Sequence, residues 1–283
     1  GTSRAVYTSG SASGSFAVHN GAGATITAVK DAIKISNLGS GANGTFTLDN
    51  EGTISSTGIA GDAGQTLDLD DIASVNVQTV ITNAASGVIQ AADADAIRAG
   101  TNATINNSGQ IVSHNGSASS TGNDAIDFQS AHTGGVVNNL AGGVINGARH
   151  GITGDQPVTV NNSGTITGEA GAGINMDTAG ATTTAVNNAA TGTITGTAMN
   201  GADGDGVDVD GLVAIDNSGT IRAVGLTAEA NGRNEALAVG GGTIHNRAGA
   251  QIVSDQRAIT IDDSGGGSAF GATTIANEGT IQG

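Results

Sequence analysis

The sequence predicts an all-β protein, a right-handed parallel β-helix of about ten coils with three short strands in each. Three observations lead there. An Asn followed by a Gly-bearing turn and an Ile recurs at 20–26, 50–54, 83–89, 107–111, 139–145, 162–166, 188–194, 217–221, 246–252 and 277–281. The mean period is about 28 residues, within the range of a solenoid coil. The turn alternates without exception between a long form, such as Asn83-Ala84-Ala85-Ser86-Gly87-Val88-Ile89, and a short one, such as Asn107-Ser108-Gly109-Gln110-Ile111. The repeating unit is therefore a pair of coils. Finally, the composition excludes an ordinary globule: 283 residues include 48 Gly, one Pro, no Trp, one Tyr, four Phe and two Met. A globular core of that length is normally filled by Leu and aromatics.

Within each coil the first strand precedes the Asn, as in Thr45-Phe46-Thr47-Leu48, Ala103-Thr104-Ile105, Val158-Thr159-Val160 and Val213-Ala214-Ile215. The second carries the Ile after the turn. The third begins on a small residue, then alternates apolar, any, apolar: Ala32-Ile33-Lys34-Ile35, Ala125-Ile126-Asp127-Phe128, Gly206-Val207-Asp208-Val209, Ala258-Ile259-Thr260-Ile261. Alternation with period two puts Ile and Val on one face and polar residues on the other. Strands of three to five residues are not stable singly, so they must stack coil on coil at ~4.8 Å. A one-residue slip would turn the Ile column outward, which fixes the register.

The Asn is expected at a tight corner, where it tolerates left-handed backbone, bonds nearby main chain and stacks into an amide ladder along the rod. The Gly after it is expected to supply a positive φ. The whole chain, 1–283, reads as one β-helix segment. Its opening, Gly1-Thr2-Ser3-Arg4, and its stop two residues after Ile281 read as the ends of a piece excised from something longer. The sequence shows no signal peptide and no membrane-length apolar run.

Twenty-five acidic against nine basic residues give a net charge of −16. That balance argues against nucleic acid and against an anionic membrane surface, both of which need clustered Lys and Arg. There is no Cys, hence no disulfide and no thiolate metal site, which suits passage through an oxidising periplasm.

The units Asn162-Ser163-Gly164-Thr165-Ile166, Asn217-Ser218-Gly219-Thr220-Ile221, Asn50-Glu51-Gly52-Thr53-Ile54 and Asn277-Glu278-Gly279-Thr280-Ile281 resemble the recurrent coil motif of bacterial autotransporter passengers. The likeness covers nearly the whole chain. It implies a right-handed β-helix displayed at the surface of a Gram-negative bacterium or secreted, and tethered through an outer-membrane barrel that nothing in this sequence matches. It further implies adhesion, self-association or a stalk role, with a host or neighbouring cell, extracellular matrix or another copy as partner. With no nucleophile constellation, no metal-ligand spacing and almost no aromatics in the sequence, no enzymatic activity is expected. The alternatives are a carbohydrate-active β-helix enzyme and a purely structural spacer.

Candidate sites are few. Asp203, Asp205, Asp208 and Asp210, spaced by Gly and Val, offer hard oxygen ligands for Ca²⁺, the one cofactor the sequence raises. The bland reading is a solvated loop entering an ordinary third strand with Asp208 outward. Asp68, Asp70 and Asp71 form a lesser cluster. The outward column of the third strand reads Lys34, Asp68, Arg98, Asp127, Thr153, Asn175, Asp208, Ala238, Thr260. Its acids Asp68 and Asp127 lie two coils, about 10 Å, apart, a little too far for either glycosidase geometry. His19, His114, His132, His150 and His245 share no ligand spacing, and Asn231-Gly232-Arg233 reads as a loop turn. From second-strand Ile to third-strand apolar residue the gaps run 7, 13, 8, 15, 7, 8, 13, 16 and 7. The longest loops, about 112–124, 196–205 and 223–234, are the expected contact surface.

Overall fold

In a computed structural model that describes residues 3–8, 14–36, 41–117, 122–129, 133–178, 182–199, 204–225, 234–262 and 269–283, thirty strands form three parallel sheets of ten. Every third strand in sequence is a neighbour in space, so each sheet takes one strand from each turn of the chain. There is no α-helix among the described residues, only a 3₁₀ turn at Ala60–Asp62. Among those residues no helix is long and apolar enough to cross a membrane.

The first sheet runs from Phe16–Asn20 to Thr273–Asn277, the second from Thr25–Ala28 to Thr280–Gln282, the third from Val6–Thr8 to Arg257–Ile261. The third sheet therefore has its tenth strand at the front, Val6–Thr8, pairing Tyr7 with Lys34. That short run keeps the small leading residue, Ala5, but ends on Thr8, which pairs with Ile35 and breaks the apolar-any-apolar pattern.

Register follows the repeat. Ile26, Ile54, Ile89, Ile111, Ile145, Ile166, Ile194, Ile221, Ile252 and Ile281 pair in one unbroken column. Ile54 through Ile252 are 0% exposed. The third-strand outward column pairs as expected, Asp68 with Arg98, Arg98 with Asp127, Asp127 with Thr153 and Asn175 with Asp208. At ~1.5–3 kcal/mol for each buried Ile or Val, this column is the main term holding the coils together.

The ladder of corner asparagines is continuous. Each Nδ2 donates to the Oδ1 one coil on, from Asn20 through Asn50, Asn83, Asn107, Asn139, Asn162, Asn188, Asn217 and Asn246 to Asn277, at 2.8 or 2.9 Å. Neighbouring backbone sets the direction of the amides. Asn83 Nδ2 also donates to Gly87 O and Gln110 O, and Asn162 Oδ1 accepts the Gly164 N–H. A second ladder runs outside it, from Asn187 to Asn161 to Asn138 to Asn106, at 2.8 Å.

Two expectations about these corners need correction. Among the described residues the only non-Gly positive φ angles are at Ala60, Asn102 and Gln129, so the ladder asparagines are not left-handed. The Gly of the short turn is not left-handed either; positive φ occurs in some long turns, as at Gly142 (84°). Short turns need Gly for a different reason. A Cβ on Gly109 would run into the carbonyl oxygens of Gly87 and Ala84 in the coil before. Close backbone approach, forced by the coil spacing, excludes any side chain there.

Candidate functional site: a carboxylate corner beside the third sheet

Two residues before each third-strand core position, the chain turns from the second sheet into the third. The residues at that corner, in coil order, are Arg4, Asp31, Gln65, Asp95, Asp124, His150, Ala172, Asp205, Glu235 and Arg257. At four of these corners, Asp95, Asp124, His150 and Asp205, the side chain accepts a backbone N–H of the next coil. Asp95 Oδ1 takes that of Asp124 at 2.9 Å, and Asp124 Oδ1 that of His150 at 2.9 Å. His150 Nδ1 takes that of Ala172 at 2.9 Å, and Asp205 Oδ1 that of Glu235 at 2.6 Å. A buried N–H at a turn has to be satisfied by something, and an acceptor side chain one coil back does it here. Burial, with the Arg149 charge adding to it, pushes the His150 imidazole down to about 4, so it stays the neutral acceptor this role needs.

In the fourth and fifth of these corners the column becomes a cluster. Among the described residues, Asp95, Asp124 and Asp127 are the set of three whose carboxylate oxygens come within 4.8 Å of one another. Arg98 Nε reaches Asp95 at 2.9 Å, and Arg149 grips Asp124 through Nε at 3.0 Å and Nη2 at 2.6 Å. Asp95 and Asp124 are almost fully buried. Asp127, half-buried, accepts the Gln129 N–H at 2.8 Å and the Gln129 side-chain amide. That holds Gln129 at a φ of 52°, an Asx-type turn. A hollow of about 260 Å³ opens over these groups, with Gln65, Asp93 and Asn123 in its walls.

The electrostatics follow from a count. Three carboxylates face two guanidiniums, and Asp127 is the one without a guanidinium hydrogen bond. Burial first, and then the charges of Asp95 and Asp124, push its carboxyl up to about 7, against the smaller opposing effects of the Gln129 N–H and Arg98. Asp95 and Asp124 are also raised, chiefly by burial. The cluster can hold one proton near neutrality at the floor of an open hollow, a property of a general acid. The lone pairs of Asp95 and Asp124 are engaged by Arg98, Arg149 and two backbone N–H groups, which makes these carboxylates structural in the first instance.

The sites expected from sequence are distributed differently. Asp203, His132 and Asn231-Gly232-Arg233 lie outside the described residues, as do parts of all three long loops. Asp205 serves the corner column, Asp208 faces outward on Val207–Val209, and Asp210 follows that strand. Asp205, Asp208 and Asp210 do not converge as a set of three within 4.8 Å. Asp68 pairs with Lys34, and Arg98 stands between it and Asp127, so that pair forms no joint site. The partners Asp127 does find were missed. Their signal is present in the sequence, as Asp31-Ala32-Ile33, Asp95-Ala96-Ile97, Asp124-Ala125-Ile126 and Asp205-Gly206-Val207 each put an acid before the small residue.

Fold and site together define a parallel β-helix with one regular amide corner and one acidic, loop-bearing corner. No family model matches the sequence, and neither a curated protein nor a solved structure matches it.

Proposed function

We propose that the chain is a rod segment of the autotransporter-passenger kind, displayed at the surface of a Gram-negative bacterium or secreted. It acts in adhesion or self-association, or as a stalk presenting another domain. The observation that carries this reading is the contrast between two edges of the rod. The Asn corner keeps one amide ladder through all ten coils, its turn varying only between two alternating lengths. The corner between second and third sheets takes gaps of 7 to 16 residues without breaking any sheet. A rigid spine that tolerates insertions along one edge is a display scaffold, and the partner is a cell surface, extracellular matrix or another copy. Binding to cultured cells and matrix proteins tests adhesion; no binding to either or to itself leaves a structural spacer. Light scattering across a salt series tests self-association. At −16 the rods repel, so they are monomeric when dilute and associate as salt shortens the Debye length to ~8 Å or less. A tight dimer that salt dissociates would overturn this account of the surface.

A second reading has one observation in its favour, the protonatable Asp127 at the floor of the hollow. In a polysaccharide hydrolase it would be the general acid. Release of reducing ends from a panel of polysaccharides, abolished in Asp127→Asn, would establish that reading; no release from any of them returns the cluster to structure.

A further inference from the structure

The Asp95, Asp124, Asp127 cluster sits where two coils are joined by little else on the third sheet. The strands there are only two residues long, Ile97–Arg98 and Ile126–Asp127. Backbone bonds link them at Ala96 N to Asp124 O, Ile97 N to Ala125 O and Ala99 N to Asp127 O, at 2.9–3.1 Å. The acceptor carbonyls thus belong to the same residues that carry the excess charge, or to their neighbour Ala125. The turn that follows, at Gln129, is left-handed and held by the Asp127 carboxylate. Any repulsion among the three carboxylates acts directly on this junction.

We propose that this corner is a proton-operated latch: with one proton shared among the three carboxylates it is closed, and loss of that proton loosens the junction between residues 93–99 and 122–129. Among the described residues the balance around Asp127 is set by the following groups, with Asp93 in the wall of the same hollow adding to the negative side. From the preceding coil come Asp95 and Arg98, with Asp68 beyond them; from its own coil, Asp124 and Gln129; from the following coil, Arg149 and the uncharged Thr153. His150 stays neutral above about 4 and adds no charge over the working range. Two guanidiniums cannot neutralise three carboxylates, and the proton supplies the difference.

The sign is fixed by linkage. Asp127 holds its proton up to about 7 when the corner is closed, and gives it up near ~3.9 when open to water. The closed corner binds more protons between these limits. Its stability therefore falls by up to about tenfold in the closing constant per pH unit from roughly pH 4 to pH 7, and is level above that. This is opposite to the usual paired carboxylate, which tightens as pH rises. A surface rod with such a latch is stiffer at that point in mildly acid surroundings than in neutral ones.

Hydrogen exchange of the intact chain at pH 5.0 and pH 7.5, corrected for the intrinsic exchange rate, tests this. Peptides covering 93–99 and 122–129 should lose protection by tens of fold between the two pH values, while peptides over 158–168 change far less. Asp127→Asn, neutral at both, should hold its protection to within about threefold. A ¹³C carboxyl titration of the unmodified protein gives a measure independent of any variant, with one of the three aspartates titrating near neutrality. Equal protection at both pH values, a pH effect that persists in Asp127→Asn, or titration of all three carboxyls below about pH 5 would each overturn the proposal.

Discussion

Replacing Asn162 with Ala removes one rung from the middle of the inner ladder, and the structure lets the loss be worked through. Four hydrogen bonds go: from Asn139 Nδ2 (2.9 Å) and Gly164 N (3.2 Å) to Asn162 Oδ1, and from Asn162 Nδ2 to Asn188 Oδ1 (2.9 Å) and Thr193 O (3.3 Å). Asn139 Nδ2 is the least affected, since it still donates to Gly143 O and Thr165 O. Asn188 Oδ1 and the Gly164 N–H lose partners in a buried place, at ~1–3 kcal/mol each. A total of ~3–5 kcal/mol follows, from a residue 1% exposed. The neighbour Asn161 lies in the outer, half-exposed ladder, and its replacement by Ala should cost no more than about 1 kcal/mol because water can replace its partners. Urea unfolding followed by far-ultraviolet circular dichroism compares the two, with exchange at Gly164 and Thr193 reporting local loss if the rod unravels in segments. Asn162→Asp sharpens the test. Its carboxylate can accept from Asn139 and Gly164 but presents an oxygen to Asn188 Oδ1 and Thr193 O, so it should be worse than Ala at neutral pH. It should recover as acid protonates it, because a raised folded-state carboxyl favours the fold below its own titration. If Asn162→Ala and Asn161→Ala differ by less than about 0.5 kcal/mol, the inner ladder is not a principal support of the coil.

Four other substitutions test separate parts of the account, each by chemical denaturation. Ile166→Ala, at a fully buried position, should cost ~2–5 kcal/mol since neighbouring coils cannot collapse around the cavity. Gln110→Ala, exposed on the outward face of the second sheet, should fall within about ±0.5 kcal/mol; equal costs would remove the inside–outside assignment. Gly109→Ala should destabilise by at least ~1–3 kcal/mol, because the methyl meets the backbone oxygens of Gly87 and Ala84 and must push the coils apart; a neutral result would mean the turn can relax. Arg149→Met strands the Asp124 carboxylate, whose side chain is 1% exposed, and should cost ~3–5 kcal/mol at neutral pH. Part of that loss should return in acid, since Asp124 without its guanidinium is raised further and its protonated form then fits the closed corner.

Much of the architecture is legible residue by residue because its signals are local. The alternation in Ala125-Ile126-Asp127-Phe128 and the return of Asn and Ile in every coil are enough to assign three sheets, a parallel register and an inward Ile column. The ladder is legible for the same reason: a side chain repeated at one place in a stack must lie against its own copies. The role of the short-turn Gly is not legible, since the demand at Gly109 comes from the carbonyls of Gly87 and Ala84 in the preceding coil rather than from its own φ. Thr260 is a similar case. The period-two pattern places it outward, yet its hydroxyl donates to the buried Glu235 at 2.9 Å, 25 residues back in sequence. The carboxylate corner depends on the stack even more. Asp95 comes from one coil and Asp124 and Asp127 from the next, separated by a loop of unequal length, and their oxygens meet only once register sets Arg98 against Asp127. Burial, which raises Asp127, belongs to that packing as well. Hydrophobic alternation is carried by neighbours along the chain, whereas charge balance is summed over neighbours in space, and only the folded stack decides which those are.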